Sequence, residues 1–262
     1  MALKASNRRQ MNWITLVMLS AMLLSMRAGS SFREEQMKYP RVRNAFAEKA
    51  STVKRVLRAS GVDPDSYDIY IRGFKQEGVL EVWARNRGGG KYLRVAAYPF
   101  CATAGTVGPK RRQGDNQIPE GLYELSGFNP NSNYLLSLKV SYPNEADRRR
   151  EGDFNLGGQI FIHGGCQTIG CIPITDDRIK ELYIMAVQAK NSGQQKIRID
   201  IFPNRLSLQQ YDKLRRLART GELVRFWGNL RTCITYFQRY RKPPDFSVDA
   251  SGHYIYLTAA DQ

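Results

Sequence analysis

The chain has 262 residues, 42% hydrophobic and 11% aromatic, a composition that supports a buried core and excludes wholesale disorder. Lysine and arginine number 40 against 24 acidic residues, a net charge of +16, which favours anionic surroundings such as nucleic acid, an acidic membrane face or an acidic polymer. No nucleic-acid-binding motif accompanies that charge, and the clusters Lys110-Arg111-Arg112 and Arg148-Arg149-Arg150 read as solvated loops.

Lys4, Arg8 and Arg9 precede an apolar run over 11–26, the pattern of an export signal or an uncleaved anchor, with an ordinary buried helix as the alternative. Residues 26–30 make a poor small-x-small cleavage site, and no second run is long enough to span a bilayer. Residues 29–39 read as a linker. Val42, Phe46, Ala50, Val53 and Leu57 recur at spacings of three and four and predict a helix over 40–60, stopped at Gly61. Strand-like runs follow at 67–74, 79–85 and 92–98, with turns at Glu77-Gly78 and Gly88-Gly89-Gly90, the rhythm of an antiparallel meander.

Residues 105–121 read as a loop entering a strand at Leu122, and 134–142 alternate as a half-buried strand does. A polar loop over 143–158 leads to a short apolar strand, 159–163, that delivers His163 to its end. Thr175 or Asp176 caps a predicted helix carrying Ile179, Leu182, Tyr183, Ala186 and Val187 on one face. A strand over 196–202 is closed by Pro203, and a basic helical segment over 207–219 follows. The apolar stripe Phe226, Trp227, Leu230, Ile234 and Phe237 in a helix over 222–241 reads as packing. Pro243-Pro244 ends it, and 253–257 read as a last edge strand. Unaided, these patterns predict an α+β fold.

Four cysteines in a chain of this size do not read as a disulfide framework. Cys101 and Cys233 have apolar or small neighbours and read as buried core thiols, with a bridge between them left open. The segment Ile162-His163-Gly164-Gly165-Cys166-Gln167-Thr168-Ile169-Gly170-Cys171 holds one of two histidines and two of four cysteines. Three readings compete. Cys171 is a nucleophile with His163 as its base, activated at the start of the following helix by the helix dipole and free N–H groups. Or His163, Cys166 and Cys171 bind a metal with a fourth ligand such as Cys101. Or the segment is structural, a satisfied histidine and two buried thiols in a tight turn.

The same segment resembles the active-site signature of the YkuD-type L,D-transpeptidase domain, in the short-loop form of its YafK-like branch. Tyr98-Pro99-Phe100-Cys101, Gly108-Pro109-Lys110, the run from Gly114 to Tyr123, Ser137, Tyr142-Pro143-Asn144 and Glu181-Leu182-Tyr183 match that branch in order. The resemblance implies an α+β fold, a YkuD-type mixed β-sandwich or barrel with peripheral N-terminal and C-terminal helices. It divides the chain into a signal or anchor (1–28), a helix and strands packing on the catalytic domain (29–91), the catalytic domain (92–203) and a helical extension (204–262).

It further implies Cys171 as nucleophile, His163 as general base, and the Gly170 and Cys171 N–H groups as oxyanion donors. Gly164, Gly165 and Thr168 are the expected substrate-binding positions, and Cys166 is a bystander. The chain departs from the wider family at Ile169, where many members carry a second histidine, and at Pro173, often arginine, which loosens the inference to 3-3 cross-linking. The implied activity is thioester-forming acyl transfer on peptidoglycan stem peptides, with a peptidoglycan-linked protein as a further partner. The alternatives are hydrolysis of peptidoglycan cross-links or protein links on the same fold, or a non-catalytic cell-wall or zinc-binding protein. No cofactor, metal or nucleic acid is implied. The expected location is the periplasm or cell envelope, with contact to the inner membrane only through an uncleaved N-terminal segment.

Overall fold

A computed structural model describes residues 30–152 and 154–257. The segment 1–28, read as signal or anchor, lies outside the described residues, and within them no helix is long and apolar enough to cross a membrane. Residues 29–39, expected as a linker, contain the helix α1 (Phe32–Met37), because Ser31 and Glu34 form a reciprocal capping box. Helix α2 (Pro40–Ala59) opens on Pro40, whose missing N–H costs nothing in a first turn, and buries Val42, Ala45, Phe46, Val53 and Leu57.

The meander follows as β1 (Tyr67–Phe74), β2 (Val79–Asn86) and β3 (Leu93–Pro99), paired antiparallel. Five further strands complete the main sheet: β4 (Gly121–Asn129), β5 (Ser137–Val140), β6 (Phe161–His163), β7 (Ile172–Pro173) and β8 (Arg198–Phe202). The eight strands run in the order β3-β2-β1-β8-β4-β5-β6-β7. Pairings β1–β8 and β6–β7 are parallel, and the others are antiparallel. The register of β4 on β5 slips between Leu125 and Gly127, and such a slip bends a sheet. The result is a curled mixed sheet, and the 91/92 boundary drawn from the sequence falls between β2 and β3 of it.

Both faces of the sheet are covered, which is why every residue of β1 is buried. On one side lie α1, α2 and α4 (Thr175–Asn191), with Leu182, Tyr183 and Met185 inaccessible to solvent. On the other lies α6 (Gly221–Tyr240), preceded by α5 (Leu208–Leu217). Phe226, Trp227, Leu230, Ile234 and Phe237 are all buried there, each contributing roughly 1.5–3 kcal/mol of hydrophobic stabilisation. The stripe is packing, as its spacing predicted.

Two differences come from short elements. The polar loop 143–158 contains α3 (Glu145–Glu151), held by a second capping box between Asn144 and Asp147. The last strand, β10 (Tyr254–Tyr256), pairs with β9 (Phe246–Val248) in a separate two-stranded sheet. Arg150, expected in a solvated cluster, is buried on Asp147 at 2.9 Å with its guanidinium 4.0 Å above the Phe226 ring.

Candidate active site

The site is built where β6 and β7 lie side by side. Their register pairs Ile162 with Ile172 and His163 with Pro173. Side chains alternate along a strand, and directly paired residues share a face. Ile162 and Ile172 point into the core with no exposure. His163 and Pro173 therefore share the opposite face, and Cys171 immediately precedes β7.

Cys171 lines one end of a cleft of about 520 Å³, with Lys110, Gln113, Asn116, Gln159, Ile169 and Gly170 among its walls. Its thiol donates to the Gln159 carbonyl at 3.5 Å. Burial pushes the thiol pKa up, while the Phe161 N–H and the Lys110 charge pull it partly back. His163 is 2% exposed, because the Tyr134 ring stacks on it with centroids 4.4 Å apart. The Nδ1 atom of His163 donates to the Gly164 carbonyl, which leaves the lone pair on Nε2. Burial pushes the imidazole pKa down, with the Gly164 bond opposing. Both shifts favour the uncharged form of their group.

The helix start also differs from expectation. Residue 174 occupies the N-cap position of α4 without a side-chain bond, so neither Thr175 nor Asp176 caps it. Asp176 is turned instead toward the loop before Cys171, where its Oδ1 accepts the Gly165 N–H at 2.8 Å. Gly164 is required there: a Cβ would stand 2.4 Å from that carboxylate and 2.7 Å from the Tyr134 carbonyl. Gly170, at φ +138°, would bring a Cβ within 2.9 Å of the Gln117 carbonyl. Thr168 Oγ1 accepts the Gly170 N–H at 3.0 Å and donates to the Cys171 carbonyl at 2.9 Å. Gly164, Gly165 and Thr168 stand off the cleft wall and shape the loop, and the Gly170 N–H is already engaged.

The cysteines are rearranged relative to the sequence reading. Cys101 and Cys166 form a disulfide with Cα atoms 5.2 Å apart. Cys101 is thus neither a free core thiol nor a partner of Cys233, and Cys166 carries no free thiol. The bridge also consumes two of the four ligands required by the metal reading. Cys233 is fully buried, its sulfur 3.4 Å from Asp200 Oδ2.

Sequence reasoning missed two contributors. Tyr134 was legible only as the start of a strand, and its role arises from the histidine it covers. Lys110 was placed in a solvated cluster, yet its side chain is 6% exposed and its ammonium lies 2.6 Å from Asp115. Burial alone would raise the Asp115 carboxyl, but Lys110 and three backbone N–H groups hold it below the usual range. Arg111 is likewise tied down, to Glu151 at 2.6 Å and Glu222 at 3.0 Å. Of that run, Lys110 lines the cleft, Arg111 is held by two carboxylates outside the cleft lining, and Arg112 stays exposed as expected.

The L,D-transpeptidase catalytic domain of the YkuD family matches residues 68–199. The chain belongs to that family. The protein named "Putative L,D-transpeptidase YafK" from Escherichia coli K12 is 32% identical over 189 residues, which cover 71% of this chain and 73% of that one. Among solved structures, the helical cell shape determining protein Pgp2 from Campylobacter jejuni has a TM-score of 0.42 at 18% identity, covering 71% of this chain and 74% of its own. Bd1075 from Bdellovibrio bacteriovorus has a TM-score of 0.37 at 25% identity, over 63% and 57%.

Proposed function

We propose that the chain performs cysteine-dependent acyl transfer on peptidoglycan stem peptides. The observation that supports this most is the placement of the Cys171 thiol in the cleft, at the entry to the strand that pairs with the one ending in His163, itself held in its Nδ1–H tautomer.

A stem peptide lies in the cleft with the carbonyl of its third residue, a diamino acid, against Cys171. Because the thiol rests neutral, His163 Nε2 removes its proton as the sulfur–carbon bond forms. The carbonyl becomes an oxyanion held by the Cys171 N–H, since the Gly170 N–H is bound to Thr168. Collapse breaks the bond to the fourth residue. His163 gives its proton to the departing amine, and a thioester stays on Cys171. An acceptor amine then produces a cross-link or a protein attachment, whereas water produces a free tripeptide end.

The catalytic unit is taken as the eight-stranded sheet with α4, and residues 204–257 as a layer on its far face. The basic and apolar 1–28 segment supports a place in the periplasm or cell envelope, where that polymer lies. The test is incubation of purified protein with tetrapeptide muropeptides, with products weighed by mass spectrometry. Cross-linked dimers report transfer and tripeptides report hydrolysis. Unchanged tetrapeptide, with no adduct on Cys171, would refute the proposal.

A further inference from the structure

Eight positions separate His163 from Cys171, and the middle of that connection has few anchors. Gly164 and Gly165 are held by Tyr134 and Asp176, and Thr168 and Gly170 are bonded within the loop. Ile169, at the tip, is 79% exposed. Cys166 lies between these groups. Its disulfide partner, Cys101, follows the end of β3 and is itself pinned, its N–H donating to the Pro173 carbonyl at 3.0 Å, two residues past the nucleophile. The Cys101 sulfur also lies 3.0 Å from the Gly165 carbonyl. One residue is therefore tied to both limbs of the loop that carries the base at one end and the nucleophile at the other.

We propose that the Cys101–Cys166 disulfide is a positioning element of the catalytic pair: it clamps the 164–170 loop so that Cys171 and His163 are held in register, and the site is competent only when the bridge is oxidised. The inference rests on the acyl-transfer reading of Cys171 and His163. Loss of the bridge is a balanced exchange. A dithiol reductant supplies two electrons and two protons, becomes a disulfide, and leaves two thiols at 101 and 166. The free loop then samples arrangements that carry Cys171 away from its place relative to His163, and a displacement of about 1 Å at a reacting pair costs on the order of a hundredfold in rate. A bridge in this position also suits an oxidising compartment.

Three forms of the full chain test this: the oxidised protein, the same protein after phosphine reduction, and the Cys101→Ser/Cys166→Ser variant. Iodoacetamide is the probe of Cys171, with the alkylated peptide located by mass spectrometry. Hydrogen exchange reads residues 164–170, and circular dichroism checks folding. Both bridgeless forms should exchange those amides about tenfold faster. The midpoint of their Cys171 alkylation against pH should move by about one unit.

A bridge that only stabilised the fold would lower the melting temperature and leave the alkylation profile in place, and that result overturns the proposal. So does global unfolding of both bridgeless forms, which would make the bridge a staple of the whole domain. Tetrapeptide turnover by the oxidised protein is measured separately. Its absence sinks the acyl-transfer reading, while the exchange and alkylation comparison is still decided on its own terms.

Discussion

Two sulfurs in this chain remain unbridged, and their surroundings make them chemically different. Cys171 sits half-exposed at a cleft, with a backbone N–H and a lysine charge offsetting part of its burial. Cys233 lies on the buried face of α6 with no exposure, against the buried carboxylate of Asp200, and both burial and that charge push its pKa well up. A thiol reacts through its thiolate, and the surroundings oppose that state less at Cys171 than at Cys233. The lesson is that access and a base, not the residue type, decide which cysteine can do chemistry.

The sharpest break of this comparison is a pair of alanine variants. Cys171→Ala should lower muropeptide turnover by about 10³-fold or more, whereas Cys233→Ala should keep turnover and lose about 1 kcal/mol of stability. Turnover that followed Cys233 instead would reverse the assignment. Next in size is Asp200→Ala. Asp200 is 0% exposed, and Arg198 donates to it at 2.7 Å, with Tyr70 and Cys233 also directed at it. Removing the carboxylate leaves the partly buried Arg198 guanidinium with the Pro244 carbonyl as its main partner and should cost about 2–4 kcal/mol in chemical denaturation. A loss under 1 kcal/mol would show that the network under α6 tolerates the charge.

Tyr134→Ala uncovers the imidazole and should reduce kcat about tenfold with KM less affected. An equal change in both would assign Tyr134 to substrate binding. The pH profile then follows from the two shifts at the site. His163 must be deprotonated to act, and burial holds its pKa below 6.5. Hence kcat/KM should rise through a midpoint under that value and stay level through neutrality, with the thiol titrating above 9.0. An acidic limb centred above pH 7 would contradict the buried, Nδ1–H imidazole.

The smallest effect lies away from the site. Burial pushes Asp147 up to about 6 despite Arg150 and Tyr123. Because the folded pKa is raised, the favourable contribution of this group is complete below about pH 4. It is lost as pH rises through 6. A carbon-detected titration should find the carboxyl near 6, and a value near 4 would mean that the hydrogen bonds outweigh burial.

Much of this architecture was legible before any coordinates. The run 67–74 coincides with β1 because it is rich in aromatic and β-branched residues, its two charged residues, Asp68 and Arg72, being paired with Arg85, Arg87 and Glu81 of β2 or the turn after it, and α2 announced itself by apolar spacing. His163 and Cys171 stood out through scarcity and proximity. Elements of six and seven residues, α1 and α3, are too short to show a period, although their capping boxes were written in Ser31-x-x-Glu34 and Asn144-x-x-Asp147. What the sequence hid are contacts across long stretches of chain. Cys101 meets Cys166 across 65 residues, β1 finds β8, and Lys110 is drawn inward by Asp115 in a loop that reads as solvated. Each depends on a partner that spacing does not name.

The central claim is that the acyl group passes through Cys171. Intact-protein and peptide mass spectrometry after brief mixing with a tetrapeptide muropeptide tests it directly. The account predicts a thioester of the tripeptide portion on the peptide containing Cys171, absent from Cys171→Ala. Turnover that persists in that variant, or an adduct carried by another residue, would contradict it.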